Sequence, residues 1–121
     1  MTVQPDIEAI LKDFHSNNKV IGLTCIAPIV AAKVLGSKGV KMTLGDTTDN
    51  FPYAGSIEVA SSFGANMQSK TVLESCTDWS NKIVTTPAYM QGDAKPHEVF
   101  DGIQTFLEKV NSLVKQKAAV D

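Results

Sequence analysis

At 121 residues with 43% hydrophobic side chains, the chain is sized for one domain with a real core. Its two cysteines lack C-x-x-C spacing and suit reduced intracellular thiols rather than a disulfide framework. A formal net charge of −2 without any basic cluster argues against nucleic acid or an anionic membrane as partner. No apolar run approaches the roughly 20 residues that span a bilayer, and the acidic, arginine-free start from Met1 to Glu8 does not read as a secretory or organellar leader.

In chain order, Ile7, Ile10, Leu11 and Phe14 share one face of a helix predicted over residues 6–18, with Pro5, Asp6 and Glu8 suiting its start. Val20 to Cys25 reads as a buried strand. Pro28 then opens an apolar helix to Leu35, closed by Gly36, since a helix's first turn has no use for the N–H that proline lacks. Val40 to Leu44 reads as a second strand. A polar loop from Gly45 to Gly55 leads into a helix capped by Ser56, with Ile57, Val59, Ala60 and Phe63 inward and Gly64 as its stop. Thr71 to Ser75 and Ile83 to Thr86 read as short strands of a hairpin turning at Asp78 to Lys82. The last predicted helix, about Pro96 to Gln116, carries Val99, Phe100, Ile103, Phe106, Leu107, Val110, Leu113 and Val114 at helical spacing, and residues 115–121 read as a frayed tail. There are no repeats or internal linkers. This alternation predicts an α/β fold, a mostly parallel sheet with helices on both faces.

Ligands of such sheets bind beyond the C-terminal strand ends, which is where Cys25 falls. A cysteine on the sharp turn between strand and helix has the arrangement of a nucleophile elbow, with a helix N-terminus that favours thiolate. The competing reading is a small apolar plug, because free cysteine is among the most buried residue types. Cys76, between Glu74 and Asp78, reads as inert. Around the elbow, the Ile26 and Ala27 N–H groups are candidates for an oxyanion hole, although every helix start exposes such donors. Gly22 marks close backbone approach or packing. Thr85 and Thr86 either line the pocket or end a strand before Pro87. Tyr53 and Tyr89 either wall the cleft or are partly buried in the ordinary way, and an exposed Trp79 would mark a contact surface. His15 and His97 read as solvated helix-end residues. No cofactor motif or metal-ligand spacing is present, so neither a cofactor nor a metal is expected.

Gly22-Leu-Thr-Cys25-Ile-Ala-Pro28, Phe51-Pro-Tyr-Ala-Gly55, Phe63-Gly-Ala65, Asn81-Lys-Ile-Val-Thr-Thr-Pro-Ala-Tyr-Met90 and Asp101-Gly-Ile103 occur in this order. Together they resemble the ElbB-like group of the PfpI-type, class I glutamine amidotransferase-like superfamily, from about Asp6 to about Lys115. The Phe51 to Gly55 segment is similar to an insertion in the eukaryotic, often mitochondrial, members. The resemblance implies a flavodoxin-like fold lacking the family's N-terminal strands, since it covers only the C-terminal half of the longer members. Val20 to Cys25 would then present an unpaired edge, a template for association. The expected partner is a second copy or the absent N-terminal half.

The same resemblance implies what chemistry to expect. Superfamily glutaminases use a late histidine followed two residues on by glutamate, whereas here Glu98 directly follows His97. Other PfpI-type members place histidine after the elbow cysteine, where this chain has Ile26. Glutaminase activity is therefore not expected. A glutamate from the absent half commonly supports the cysteine, which implies glyoxalase or deglycase chemistry on a small carbonyl ligand. Asp46, Asp49 and Asp78 read as loop and turn residues rather than replacements for it. Three readings follow: a partial ElbB-like protein acting as a binding or interaction module, a glyoxalase/deglycase-like enzyme completed by a partner through Cys25, or a cysteine redox sensor. The expected location is intracellular, mitochondrial by resemblance alone and otherwise cytoplasmic.

Overall fold

The computed structural model describes residues 2–120, with side chains over residues 2–116. The chain runs α1 (Pro5–Ser16), β1 (Ile21–Thr24), α2 (Pro28–Leu35), β2 (Lys41–Met42), α3 (Gly55–Ser62), β3 (Asn66–Met67), β4 (Cys76–Asp78), β5 (Ile83–Thr86) and α4 (Pro96–Val120). Single 3-10 turns occupy Gly36–Lys38 and Ala88–Met90. β5 is buried at all four positions, as suits its run of β-branched side chains. It pairs parallel with β1, Ile21 opposite Ile83 through Thr24 opposite Thr86, and antiparallel with β4 on its other side. β2 and β3 form a separate parallel pair. The strand order β1-β5-β4 leaves β1 at one edge, so the expected mixed α/β architecture is present and is parallel in two of its three strand pairs.

Alternation along the strands divides the core. Ile21 and Ile83 join Leu11 of α1 and the small, fully buried Ala31 and Ala32 of α2 on one face. Val84 meets Phe106 and Leu113 of α4 on the other. Gly22 lies opposite Val84, and a Cβ there would come within 2.8 Å of Phe106 Cζ, so the absent side chain lets the ring lie on the sheet. Burying Phe106 and Leu113 contributes roughly 1.5–3 kcal/mol each. α4 starts at Pro96, and Glu98 reaches back so that the Lys95 N–H donates to its Oε1 at 2.8 Å, as in one half of a capping box.

Several sequence expectations change. On α1 only Leu11 is buried, because α1 meets α2 and β1 along one narrow line and leaves Ile7, Ile10 and Phe14 exposed. Val59 is exposed for the same reason: α3 turns Ala60 inward against α2. The strand expected at Thr71 to Ser75 is instead a turn. Thr71 N–H donates to Glu74 Oε1 and Val72 N–H to Gln91 Oε1, and pairing begins at Cys76. β2 is cut to two residues because Thr43 N–H donates sideways to Thr85 Oγ1 at 3.0 Å. Ser56 does not cap α3, since its hydroxyl donates to the Tyr53 carbonyl. α4 continues through Val120, where a frayed tail was expected; Asp121 lies outside the described residues.

Asp78 is 4% exposed and anchors the hairpin turn. Lys41 N–H donates to its Oδ2 at 2.8 Å, Asn81 N–H to its Oδ1 at 3.0 Å and the Asn81 side-chain amide to its Oδ2 at 2.9 Å. Burial works against the charge, but these donors and the Lys41 charge outweigh it and hold the carboxyl below its ordinary value. Asn81 Oδ1 also meets His15 Nε2 at 2.8 Å, which ties the end of α1 to the turn.

Two expectations follow for stability. Because the folded-state value of Asp78 is depressed, its contribution is fully present above the ordinary carboxylate range near 3.9 and is lost as pH falls through the depressed value. Urea titrations should show Asp78→Asn less stable at neutral pH by about 1–3 kcal/mol, with a weaker acid dependence than the native chain. In the same assay Gly102→Ala should lose about 1–3 kcal/mol, since its Cβ would overlap the Val72 carbonyl. Gly55→Ala, with open space around it, should change stability by less than about 1 kcal/mol.

Candidate functional site

Cys25 follows the last residue of β1 and has φ +59, unusual for a residue with a side chain. Its N–H donates to the Thr86 carbonyl at 3.0 Å, extending the β1–β5 ladder by one bond. The chain then turns sharply: Ala27 N–H donates to the Thr24 carbonyl at 3.1 Å, and Pro28 begins α2. Of the two amides expected as oxyanion donors, Ala27 is thus engaged within the turn. The Ile26 N–H has no acceptor among the described residues. At the end of the neighbouring β5, Ala88 also has positive φ, +48. A non-glycine residue with positive φ therefore follows each of these two paired strands at its C-terminal end, where such strain commonly marks function.

A cleft of about 590 Å³ opens over this turn, lined by Cys25, Ile26, Pro52, Tyr53, Gly55, Ser56, Tyr89 and Met90. The 51–55 segment forms one wall. Phe51 is buried and packs where a Cβ on Gly45 (φ +104) would stand. Gly92 N–H donates to the Asn50 carbonyl at 2.6 Å, which clips this segment to the stretch after β5. The one lining hydroxyl on a small side chain, that of Ser56, already donates to Tyr53 O at 2.8 Å. Tyr53 and Tyr89 flank the opening, 62% and 54% exposed.

The other predicted site residues lie elsewhere. Gly22 sits beneath Phe106 on the opposite face of the sheet. Thr85 Oγ1 accepts from Thr43 N–H, and Thr86 Oγ1 donates to the Glu74 carbonyl at 2.9 Å; neither lines the cleft, because both hydroxyls hold flanking segments to β5. His97 is exposed on the first turn of α4 and His15 bonds Asn81, so no histidine lines the cleft. Asp46 accepts from Thr47 N–H, Asp49 is exposed in the loop and Asp78 is engaged in the hairpin, so among the described residues no carboxylate lines it either. Among the described residues no cluster of three or more His, Cys, Asp or Glu is placed to hold a metal, and no helix is long and apolar enough to cross a membrane. Sequence reasoning had not singled out Pro52, Gly55, Ser56 and Met90 as lining. The Phe51 to Gly55 and Asn81 to Met90 motifs already carried three of the four. Cys76 is 4% exposed; burial pushes its thiol up, Asp78 adds to this, and Lys70, Lys41 and a hydrogen bond to Thr85 oppose it. Trp79 is half-exposed in the hairpin turn.

The chain resembles known proteins in sequence and in fold. Over 114 residues the chain is 43% identical to rat (Rattus norvegicus) "ES1 protein homolog, mitochondrial", covering 92% of the chain and 42% of that relative. It is 44% identical over 114 residues to human (Homo sapiens) "Glutamine amidotransferase-like class 1 domain-containing protein 3, mitochondrial", covering 92% of the chain and 41% of that protein. A zebrafish (Danio rerio) "ES1 protein, mitochondrial" is 34% identical over 112 residues. The solved structure of an isoprenoid biosynthesis protein with amidotransferase-like domain from Ehrlichia chaffeensis superposes with a TM-score of 0.80 at 23% identity, over 93% of this chain and 49% of that one. No family model matches the chain. The fold is the flavodoxin-like fold of amidotransferase-like proteins. By sequence the chain is similar to ES1 proteins and to a glutamine amidotransferase-like class 1 domain-containing protein, and it spans about 42% of the length of the rat relative.

The two thiols should separate in reactivity. With Cys25 half-buried at a cleft and Cys76 buried with a raised value, a limiting amount of iodoacetamide near neutral pH should label Cys25 well before Cys76. Peptide mapping after brief alkylation reads the order; equal labelling in a folded sample would reduce Cys25 to a packing residue.

Proposed function

We propose that the chain is a binding module of the amidotransferase-like class whose cleft captures a small carbonyl compound on Cys25 without turning it over unaided. The observation that carries this is the composition of the cleft: a cysteine on a strained strand-to-helix turn, with no histidine or carboxylate lining beside it. In the capture step sulfur bonds to the carbonyl carbon, the C=O π pair moves to oxygen, and oxygen takes the thiol proton to give a hemithioacetal. The Ile26 N–H, without an acceptor among the described residues, is suited to donate to that oxygen. Conversion of a dicarbonyl adduct to a hydroxy acid needs a further proton shift between carbons, and glutamine hydrolysis needs a base beside the thiol. The cleft lining supplies neither group.

A second reading, glyoxalase- or deglycase-like turnover with the site completed by another chain, is supported by two observations. The chain matches 42% of the rat relative's length, and β1 stands at an open sheet edge beside the cleft. The mitochondrial names of the rat, human and zebrafish relatives support a mitochondrial setting.

Carbon-13 NMR of the full chain with labelled methylglyoxal tests capture and turnover together. A hemithioacetal carbon should appear with the native chain and vanish in Cys25→Ala, with no lactate formed by either. Lactate formed by the native chain and not by Cys25→Ala would replace capture with catalysis. A signal that survives in a folded Cys25→Ala sample would remove Cys25 from the site.

A further inference from the structure

The walls of the cleft specify more than its thiol. Ile26, Pro52, Tyr53, Tyr89 and Met90 present apolar and aromatic surface, and among the described residues no Lys, Arg, His, Asp or Glu lines the cleft. The Ser56 hydroxyl spends its proton on the Tyr53 carbonyl. No charged side chain among the described residues lines the cleft, and the unengaged backbone donor at the elbow, Ile26 N–H, is taken by the carbonyl oxygen, so a charge carried elsewhere on the ligand would lose hydration on entry without gaining a partner. Ile26, Tyr53 and Tyr89 are 47%, 62% and 54% exposed, so an apolar ligand covering them would remove apolar surface from water. The volume of about 590 Å³ is within the range of pockets for ligands far larger than a three-carbon carbonyl, roughly 300–1,000 Å³.

We infer that this cleft selects a neutral aldehyde carrying an apolar chain of several carbons, its carbonyl at Cys25 and its chain laid over Ile26 between Tyr53 and Tyr89. The inference rests on the capture of carbonyls by Cys25 proposed above and adds the ligand class. The bonding change is the one already written: the S–C bond forms, the C=O π bond opens, and the thiol proton moves to oxygen. A longer chain leaves this step unaltered, so any gain with length measures the walls alone.

The test uses propanal, pentanal and heptanal, whose carbonyl groups are chemically alike, as protectants of Cys25 against iodoacetamide in the full chain, with labelling read by peptide mapping. The half-protective concentration should fall about twofold to fourfold for each added methylene, fourfold being the limit for a fully buried CH₂. Tyr53→Ala and Tyr89→Ala, each referred to its own unprotected rate, should flatten that dependence. Both residues are more than half exposed, so neither substitution opens the core. An aldehyde of pentanal's length ending in a carboxylate should protect at least tenfold less well than pentanal. Equal protection by all three alkanals, or by the carboxylate-bearing one and pentanal, would overturn the ligand class and leave capture standing. Absence of protection by any aldehyde would overturn both.

Discussion

The structure depends on β5 being held from every side. Its backbone pairs with β1 on one edge and β4 on the other, and Ile83 and Val84 point into opposite halves of the core. Its last two residues are threonines with no solvent exposure, and a buried hydroxyl is costly unless bonded. Thr85 Oγ1 accepts from Thr43 N–H, so β2 is tethered to the sheet by a side chain where the ladder does not reach. Thr86 Oγ1 donates to the Glu74 carbonyl and fixes the turn before β4. Among the described residues, no buried side-chain nitrogen or oxygen lacks a partner.

This strand also sets the cleft. The Thr86 carbonyl takes the Cys25 N–H and thereby fixes where β1 stops and the chain must bend. Ala88, two residues beyond Thr86, bends beside it with its own positive φ. Both positive-φ positions follow the ends of two strands paired in register, one residue after β1 and two after β5. The 51–55 wall is then brought up to Cys25 by the packing of Phe51 at Gly45 and by the Asn50–Gly92 bond.

The sequence made some of this legible and hid the rest for physical reasons. Pro28 after an apolar run ending at Cys25 located the strand-to-helix turn, because proline tolerates few other places. Phe106 and Leu113 were legible from helical spacing, but the same spacing also offered Phe100, Leu107, Ile7, Ile10 and Phe14, which are exposed. Periodicity tells which side chains share a face, and what comes to cover that face is tertiary information. β3 is two residues long, too short for any alternation to register. Thr85 and Thr86 stood at the right strand end to line a pocket, and only the partners of their hydroxyls show that they are structural. The family relationship was legible because five separated motifs had to agree in order, a stricter condition than any one of them.

Asp78 has a consequence for how the molecule yields to change. Its donors come from two places, Lys41 across 37 residues and Asn81 three residues away, and Asn81 in turn meets His15 across 66. A carboxylate so enclosed loses out if either segment withdraws, because the remaining donors must then hold a charge stripped of water. The free energies of β2, the hairpin turn and the end of α1 are therefore coupled through one side chain. Substitutions at Lys41, Asn81 and His15, distant in sequence, belong to a single non-additive set.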